Sequence, residues 1–225
     1  MLQTIDFKSN NDSKLALVLL HGYGANAEDL APLVPILKQE NDCWGYVPQA
    51  PISLPALAGF NGRAWFDLDM AMLEKRNATP DANLFDEAHI KRLQSCVDKH
   101  LVPFLENIAK DGTRICLGGF SQGSMLALDL LLRHRPSYLQ TLVLFSGAWP
   151  YINQPKIAEG DTCPVFVSHG INDAVLPVKH SRKMVDELRK LDFQVRSNEF
   201  SGGHEIPPHI VDQAITFTSS TFFHS

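Results

Sequence analysis

Several short stretches of this chain are apolar from end to end, and that property restricts its architecture more than any other. LALVLL (15–20), TLVLFSG (141–147) and PVFVSHG (164–170) show no sustained apolar–polar alternation, so strands formed there must be covered on both faces. Longer segments with helical spacing lie between them. Ile90, Leu93, Val97, Leu101, Leu105 and Ile108 recur on one face from Asp86 to Lys110. Buried strands alternating with helices predict an α/β protein: a mostly parallel central sheet flanked by helices on both faces.

The remaining elements follow from the same pattern. WGYVPQAP (44–51) predicts a short strand ended by prolines, TRICLGG a strand after the Asp111-Gly112 stop, and Phe193 to Phe200 a last strand. Asn26 is placed to cap a helix opening with Glu28 and Asp29 and carrying Leu30, Leu33, Ile36 and Leu37 on one face. Further helices are expected over Gln122 to His134, Lys179 to Leu191 and His209 to Phe222. Residues 51 to 85 are irregular and far longer than an ordinary connection, which marks a functional segment. Within it, EKRNATPDAN (74–83) reads as a solvated loop. No repeat, low-complexity tract or linker divides the 225 residues, so one domain over 1–225 is expected.

Composition excludes several classes. A net charge of −5 with no basic block argues against nucleic acid as a partner and against a cationic membrane-surface helix. Cys43, Cys96, Cys116 and Cys163 are scattered without CxxC pairing, which favours buried free thiols over disulfides or zinc. The N-terminal stretch has no apolar h-region, so membrane insertion is not expected and the cytoplasm is the default compartment. His204-Glu205 and His209 do not form a zinc helix, because the histidines are five apart with Pro207-Pro208 between them. No metal or cofactor is called for.

The loops that end the strands carry the chemistry. In open parallel sheets the ligand crevice lies beyond the carboxyl ends of the strands, where HGYG, GFSQG, HGIND and SGGHE all fall. Gly119-Phe120-Ser121-Gln122-Gly123 has the pattern G-x-S-x-G between a strand and a helix. A strand that turns at once into a helix holds the serine in a strained conformation and leaves no room for bulk beside it. A serine hydroxyl is a weak nucleophile and needs a base oriented by a third group. His204, among glycines after the last strand, is the candidate base. His169 precedes the candidate acid, His180 and His209 sit near helix starts, and His224 is terminal. Asp173 in HGINDAVLP is the candidate acid. Asp161 lies at the wrong strand end, and Asp186 and Asp192 belong to a helix and its exit. Oxyanion donors are expected from the backbone N–H of Gln122 and of Tyr23, with Gly24 as the alternative to Tyr23.

With these residues in place the sequence resembles the acyl-protein thioesterase / phospholipase-carboxylesterase family of α/β-hydrolases. LLHGYGANAEDL, PQAPI, RAWFD, RICLGGFSQGSM, SHGINDAVLP and GGHEI occur in the family's order. The resemblance implies an α/β-hydrolase fold with no large cap domain, the triad Ser121, Asp173 and His204, oxyanion donors at Tyr23 and Gln122, and no cofactor. It implies a serine hydrolase acting on carboxylic esters of short to medium acyl chain through an acyl-enzyme. Acyl thioesters of proteins and lysophospholipids are further substrates in such a family, and several members form homodimers. Tyr23 and Ser124 depart from the more frequent HGLGD and GFSQGG. Trp65, Phe66 and Leu176, together with Leu54, Leu57, Phe60 and Leu68, are the apolar residues available to line an acyl pocket; the alternative for Trp65 and Phe66 is that they anchor a loop to the core. A hydrolase-fold binding protein without catalysis is the reading from a different class.

Overall fold

A computed structural model describes residues 2–39, 41–54, 61–79, 83–160 and 162–223. Strands β1 (Thr4–Phe7), β2 (Leu15–Leu20), β3 (Trp44–Pro48), β6 (Arg114–Phe120), β7 (Leu139–Phe145), β8 (Val165–Gly170) and β9 (Val195–Phe200) form a sheet in the order β1-β3-β2-β6-β7-β8-β9. All neighbours are parallel except β1 on β3. The short strands β4 (Ile52–Ser53) and β5 (Arg63–Ala64) pair separately.

The apolar runs sit where their patterning requires. Ala16, Val18 and Leu20 of β2 point into one core and Leu17 and Leu19 into the other; β6 and β7 split in the same way. The first core is closed by α4 (Glu87–Cys96), α5 (Val102–Ala109), α6 (Gln122–His134) and α7 (Lys179–Lys190). The second is closed by α1 (Ala27–Leu30), α2 (Leu33–Lys38) and α8 (Pro208–Thr218). One π-helical turn, Val97–Leu101, joins α4 to α5, and another, Ser219–Phe223, ends the described chain.

Two local expectations need correction. The helix after Asn26 breaks at Ala31-Pro32 into α1 and α2, because proline cannot supply the N–H that continuation needs. Its buried residues are Leu30, Val34 and Leu37, while Ile36 is 49% exposed. Asn26 is the N-cap of α1, as expected, and its N–H donates to the Asp29 carboxylate at 2.8 Å in a capping box. Residues 74–78, expected as loop, belong to α3 (Met70–Ala78), whose N-terminus is capped by Asp69 accepting from the Met72 N–H. Strand β1 has no counterpart in the sequence reading.

Candidate active site

Ser121 stands between the end of β6 and the first turn of α6 with φ 54° and ψ −114°. A positive φ on a residue with a Cβ is strained, and close packing holds it. A Cβ on Gly119 would lie 2.4 Å from the Gly123 carbonyl carbon, and one on Gly123 would lie 2.1 Å from the Leu20 oxygen. The flanking glycines are therefore required by contact. The Ser121 N–H donates to the Phe145 carbonyl at 2.9 Å. Ser124, buried behind the turn, has its hydroxyl 2.5 Å from the Gly119 oxygen and 2.8 Å from that of Phe145.

Asp173 and His204 come together from the loops after β8 and β9. His204 Nδ1 lies 2.6 Å from Asp173 Oδ2. A carboxylate only accepts, so Nδ1 carries the proton and Nε2 is left with a lone pair. Asp173 Oδ1 accepts from the N–H groups of Val175 and Leu176 at 2.9 and 2.8 Å. Burial alone would raise the Asp173 pKa, but hydrogen bonds from His169, His204 and the Leu176 N–H outweigh it and hold the carboxyl below its usual range. The two loops touch because Gly170 has no side chain: a Cβ there would lie 2.2 Å from the Gly203 oxygen. The His204 ring packs on Phe120, next to Ser121, with centroids 4.7 Å apart.

The loop after β2 completes the arrangement. Gly22 lies against the turn, where a Cβ would meet Phe120 at 3.1 Å and the Ser121 Cβ at 3.4 Å. His21 is fully buried, and burial lowers its pKa. Its Nε2 accepts from the Ala50 N–H at 3.1 Å, so its Nδ1–H donates to the Gly22 carbonyl at 2.8 Å. The Gly24 N–H donates to the Arg63 carbonyl at 2.8 Å. The N–H groups of Tyr23 and Gln122, by contrast, have no acceptor among the described residues.

Trp65 and Phe66 are 1% and 2% exposed and belong to the core. Their backbone is gripped by the Gln122 side chain, which accepts from the Trp65 N–H at 2.9 Å and donates to the Phe66 carbonyl at 2.7 Å. Trp65 Nε1–H donates to the His21 carbonyl at 2.9 Å. Leu176 is 2% exposed. Leu57 and Phe60 lie outside the described residues. A mostly apolar groove of about 620 Å3 runs between α3 and the Asp173 loop, lined by Met70, Leu73, Ala174, Val175 and Pro177 together with Glu74 and Asn77. Sequence reasoning missed these residues. Met70 and Leu73 lie in MAML, within a segment taken as irregular, and Ala174, Val175 and Pro177 lie in HGINDAVLP, which was read only for its acid.

The four cysteines are buried free thiols, and burial pushes their pKa up, to about 11 for Cys43 and about 12 for Cys96 and Cys163. Among the described residues no group of His, Cys, Asp or Glu could hold a metal ion, and no helix is long and apolar enough to cross a membrane.

Comparison with known proteins agrees with this geometry. The sequence matches the phospholipase/carboxylesterase family over residues 5–222. It is 24% identical to acyl-protein thioesterase 1 of Gibberella zeae over 94% of this chain and 92% of that protein. It is 27% identical to the Candida albicans protein of the same name over 86% of each. Among solved structures, esterase PE8 superposes with a TM-score of 0.81 at 28% identity, covering 98% of this chain and 99% of that one. The Bacillus cereus carboxylesterase superposes at 0.77 and 23% identity, covering 99% and 95%, and shows the fold. The sheet, its helical layers and the absence of a large cap are those of an α/β-hydrolase. The protein is a hydrolase, and it belongs to the phospholipase/carboxylesterase family of α/β-hydrolases.

Proposed function

We propose that the protein is a serine hydrolase that cleaves carboxylic esters of short to medium acyl chain, and acyl thioesters, through an acyl-enzyme. The observation that carries this reading is the 2.6 Å bond from His204 Nδ1–H to Asp173, with the His204 ring packed on Phe120, the residue that precedes a serine held at φ 54° on the elbow. In the first half-reaction Ser121 Oγ bonds to the acyl carbon while His204 Nε2 takes the hydroxyl proton. Asp173 holds the imidazole in the Nδ1–H tautomer and stabilises the imidazolium. The Tyr23 and Gln122 N–H groups, both without other acceptors among the described residues, donate to the developing oxyanion. Collapse expels the alkoxide or thiolate, which leaves with the proton from His204. Water then repeats the sequence on the acyl-enzyme and releases the carboxylic acid.

The apolar groove of Met70, Leu73 and Val175 beside the Asp173 loop is a receptor for the acyl chain. Trp65 and Phe66 act there indirectly, since Gln122 holds their backbone beneath the site. The thioester reading draws on the relatives named acyl-protein thioesterase 1. The test is the initial rate of hydrolysis of p-nitrophenyl esters from acetate to palmitate and of matched acyl thioesters, with Ser121→Ala as the blank. A chain-length optimum that vanishes in Ser121→Ala is expected. Rates equal to the blank on every ester and thioester would overturn the reading and leave a non-catalytic binding protein or an enzyme confined to lysophospholipids.

A further inference from the structure

Asp173 is approached by two histidines, and the chemistry proposed above uses one. The second, His169, lies in β8 four residues before the acid. Its Nε2 is 2.7 Å from the Leu176 carbonyl oxygen and 3.2 Å from Asp173 Oδ2. Both neighbours only accept, so Nε2 carries the proton and donates. The ring is 1% exposed, and Nδ1 has no partner among the described residues. A buried, unpaired ring nitrogen is unfavourable. An apolar ring of similar size would avoid it, so what the imidazole contributes lies at Nε2.

Two bonds meet at Leu176: its carbonyl accepts from His169, and its N–H donates to Asp173 Oδ1 at 2.8 Å. We propose that His169 is a positioning residue for the Asp173 carboxylate, holding the acid loop through Leu176 and sharing Oδ2 with His204. The inference rests on the Ser121–His204–Asp173 reading and adds a residue that the sequence pattern set aside. Its effect is twofold. The carboxylate is fixed in the plane that receives His204 Nδ1–H, and part of its negative charge is taken by His169, so His204 meets less than a full carboxylate.

Among the described residues, the other ionisable groups facing His169 include Glu199, His180, Asp186 and Arg189. Glu199, its register partner on β9, is held by Arg182 of α7 through two bonds of 2.7 Å. His180 of α7 faces Asn77 at 3.0 Å. Asp186 and Arg189 line, together with His169, a cavity of about 270 Å3.

The experiment compares His169→Phe, His169→Asn and His169→Gln by kcat, KM and the pH profile of p-nitrophenyl ester hydrolysis. Phenylalanine keeps the volume but has no donor. Asparagine is polar but too short to reach Leu176, and it stands in should the phenylalanine variant not fold. The glutamine amide reaches about as far as the imidazole Nε2. For the first two variants kcat is expected to fall about tenfold or more, as displaced catalytic groups do, with KM within about twofold. The acid limb of the profile should move to higher pH, because Asp173 then gives its whole charge to the imidazolium. Glutamine should restore both rate and limb. Equal losses in all three variants with an unmoved limb would reduce His169 to packing, and a His169→Phe enzyme matching wild type would overturn the inference. Asp173→Asn run alongside separates the two readings. Should it keep the wild-type rate, the triad itself falls; should it collapse while His169→Phe stays active, only the role of His169 falls.

Discussion

Gly123 shows how little freedom a single position has where a strand becomes a helix. Its missing side chain faces the Leu20 oxygen, 2.1 Å from where a Cβ would sit. Gly123→Ala must therefore push α6 away from β2, and the cost of such overpacking is about 3 kcal/mol. The displacement passes directly to Ser121, and misplacing a nucleophile by about 1 Å lowers its rate on the order of a hundredfold. The expected outcome is a variant with a lower melting temperature whose rate falls further than its folded fraction does. A variant with wild-type melting and turnover would show that the contact relaxes at no cost. Ser121 was legible in the sequence because the steric demand is local: a serine between glycines at a strand-to-helix junction reports its own geometry. Asp173 and His204, the proposed partners, were picked out by chain order and by their positions after strands, and the fold brings them within hydrogen-bond distance of each other. Trp65 and Phe66 were less so, since nothing in AWFD tells that the Gln122 side chain would take both backbone groups and bury the rings. Nor does the sequence tell that the Gly24 N–H is taken by the carbonyl of Arg63, which is remote along the chain.

Between elements, Asn77 near the end of α3 is a junction. Its Nδ2–H donates to the Val175 carbonyl in the acid loop, and its Oδ1 accepts from His180 Nε2 at the start of α7. Lys179 Nζ adds bonds to the carbonyls of Asn77 and Thr79. Burial and the neighbouring Lys179, His169 and Lys183 charges lower the His180 pKa to about 4. The sign of the pH effect follows directly. Between about 4 and the ordinary histidine value near 6.5 the unfolded chain binds a proton that the folded one refuses, so stability falls as pH falls through that window. The upper bound is roughly 3 kcal/mol at the acid end. His180→Gln keeps the bond to Asn77 without the titration, so its urea-unfolding free energy should be flatter than wild type between pH 6.5 and 4. Parallel curves would exclude His180 as the source. Asp173 works in the same direction in a more acidic window: its depressed pKa stabilises the fold above the usual carboxylate range, and that contribution is lost as pH falls below it. The elements themselves were read unevenly. Apolar runs such as LALVLL matched β2 residue for residue, since a strand covered on both faces has no other pattern. Strand β1 was invisible because its half-buried TIDF gains meaning only from pairing with β3. Helix α3 was hidden because Leu73 is its one buried residue and Glu74, Lys75 and Arg76 follow at once, so no apolar face repeats along it.

At the scale of the whole molecule, two cores share one sheet, and this links them mechanically. Cys116 of β6 belongs to the core under α1, α2 and α8, while its neighbours Ile115 and Leu117 belong to the core under α4 to α7. β2, β7 and β8 alternate in the same way, so neither layer can melt without exposing the back of strands that the other layer needs. The site depends on this arrangement, because its loops leave β2, β6, β8 and β9 and meet only while the strands stay in register. We therefore expect the 225 residues to unfold as one unit, with an enthalpy on the order of 160 kcal/mol near 60 °C, the usual value for a chain of this length. Calorimetry should show one peak whose van 't Hoff and calorimetric enthalpies agree. Leu117→Ala makes the test sharper. Leu117 is fully buried at the centre of the sheet, and its truncation should cost about 2–5 kcal/mol. If the cores are one unit, that change lowers a single transition seen equally by the fluorescence of Trp149, in the first core, and by hydrogen exchange in α8, on the opposite face. A variant in which the Trp149 signal moves while α8 keeps wild-type protection would mean that the layers unfold separately, and that the sheet joins two cooperative units instead of defining one.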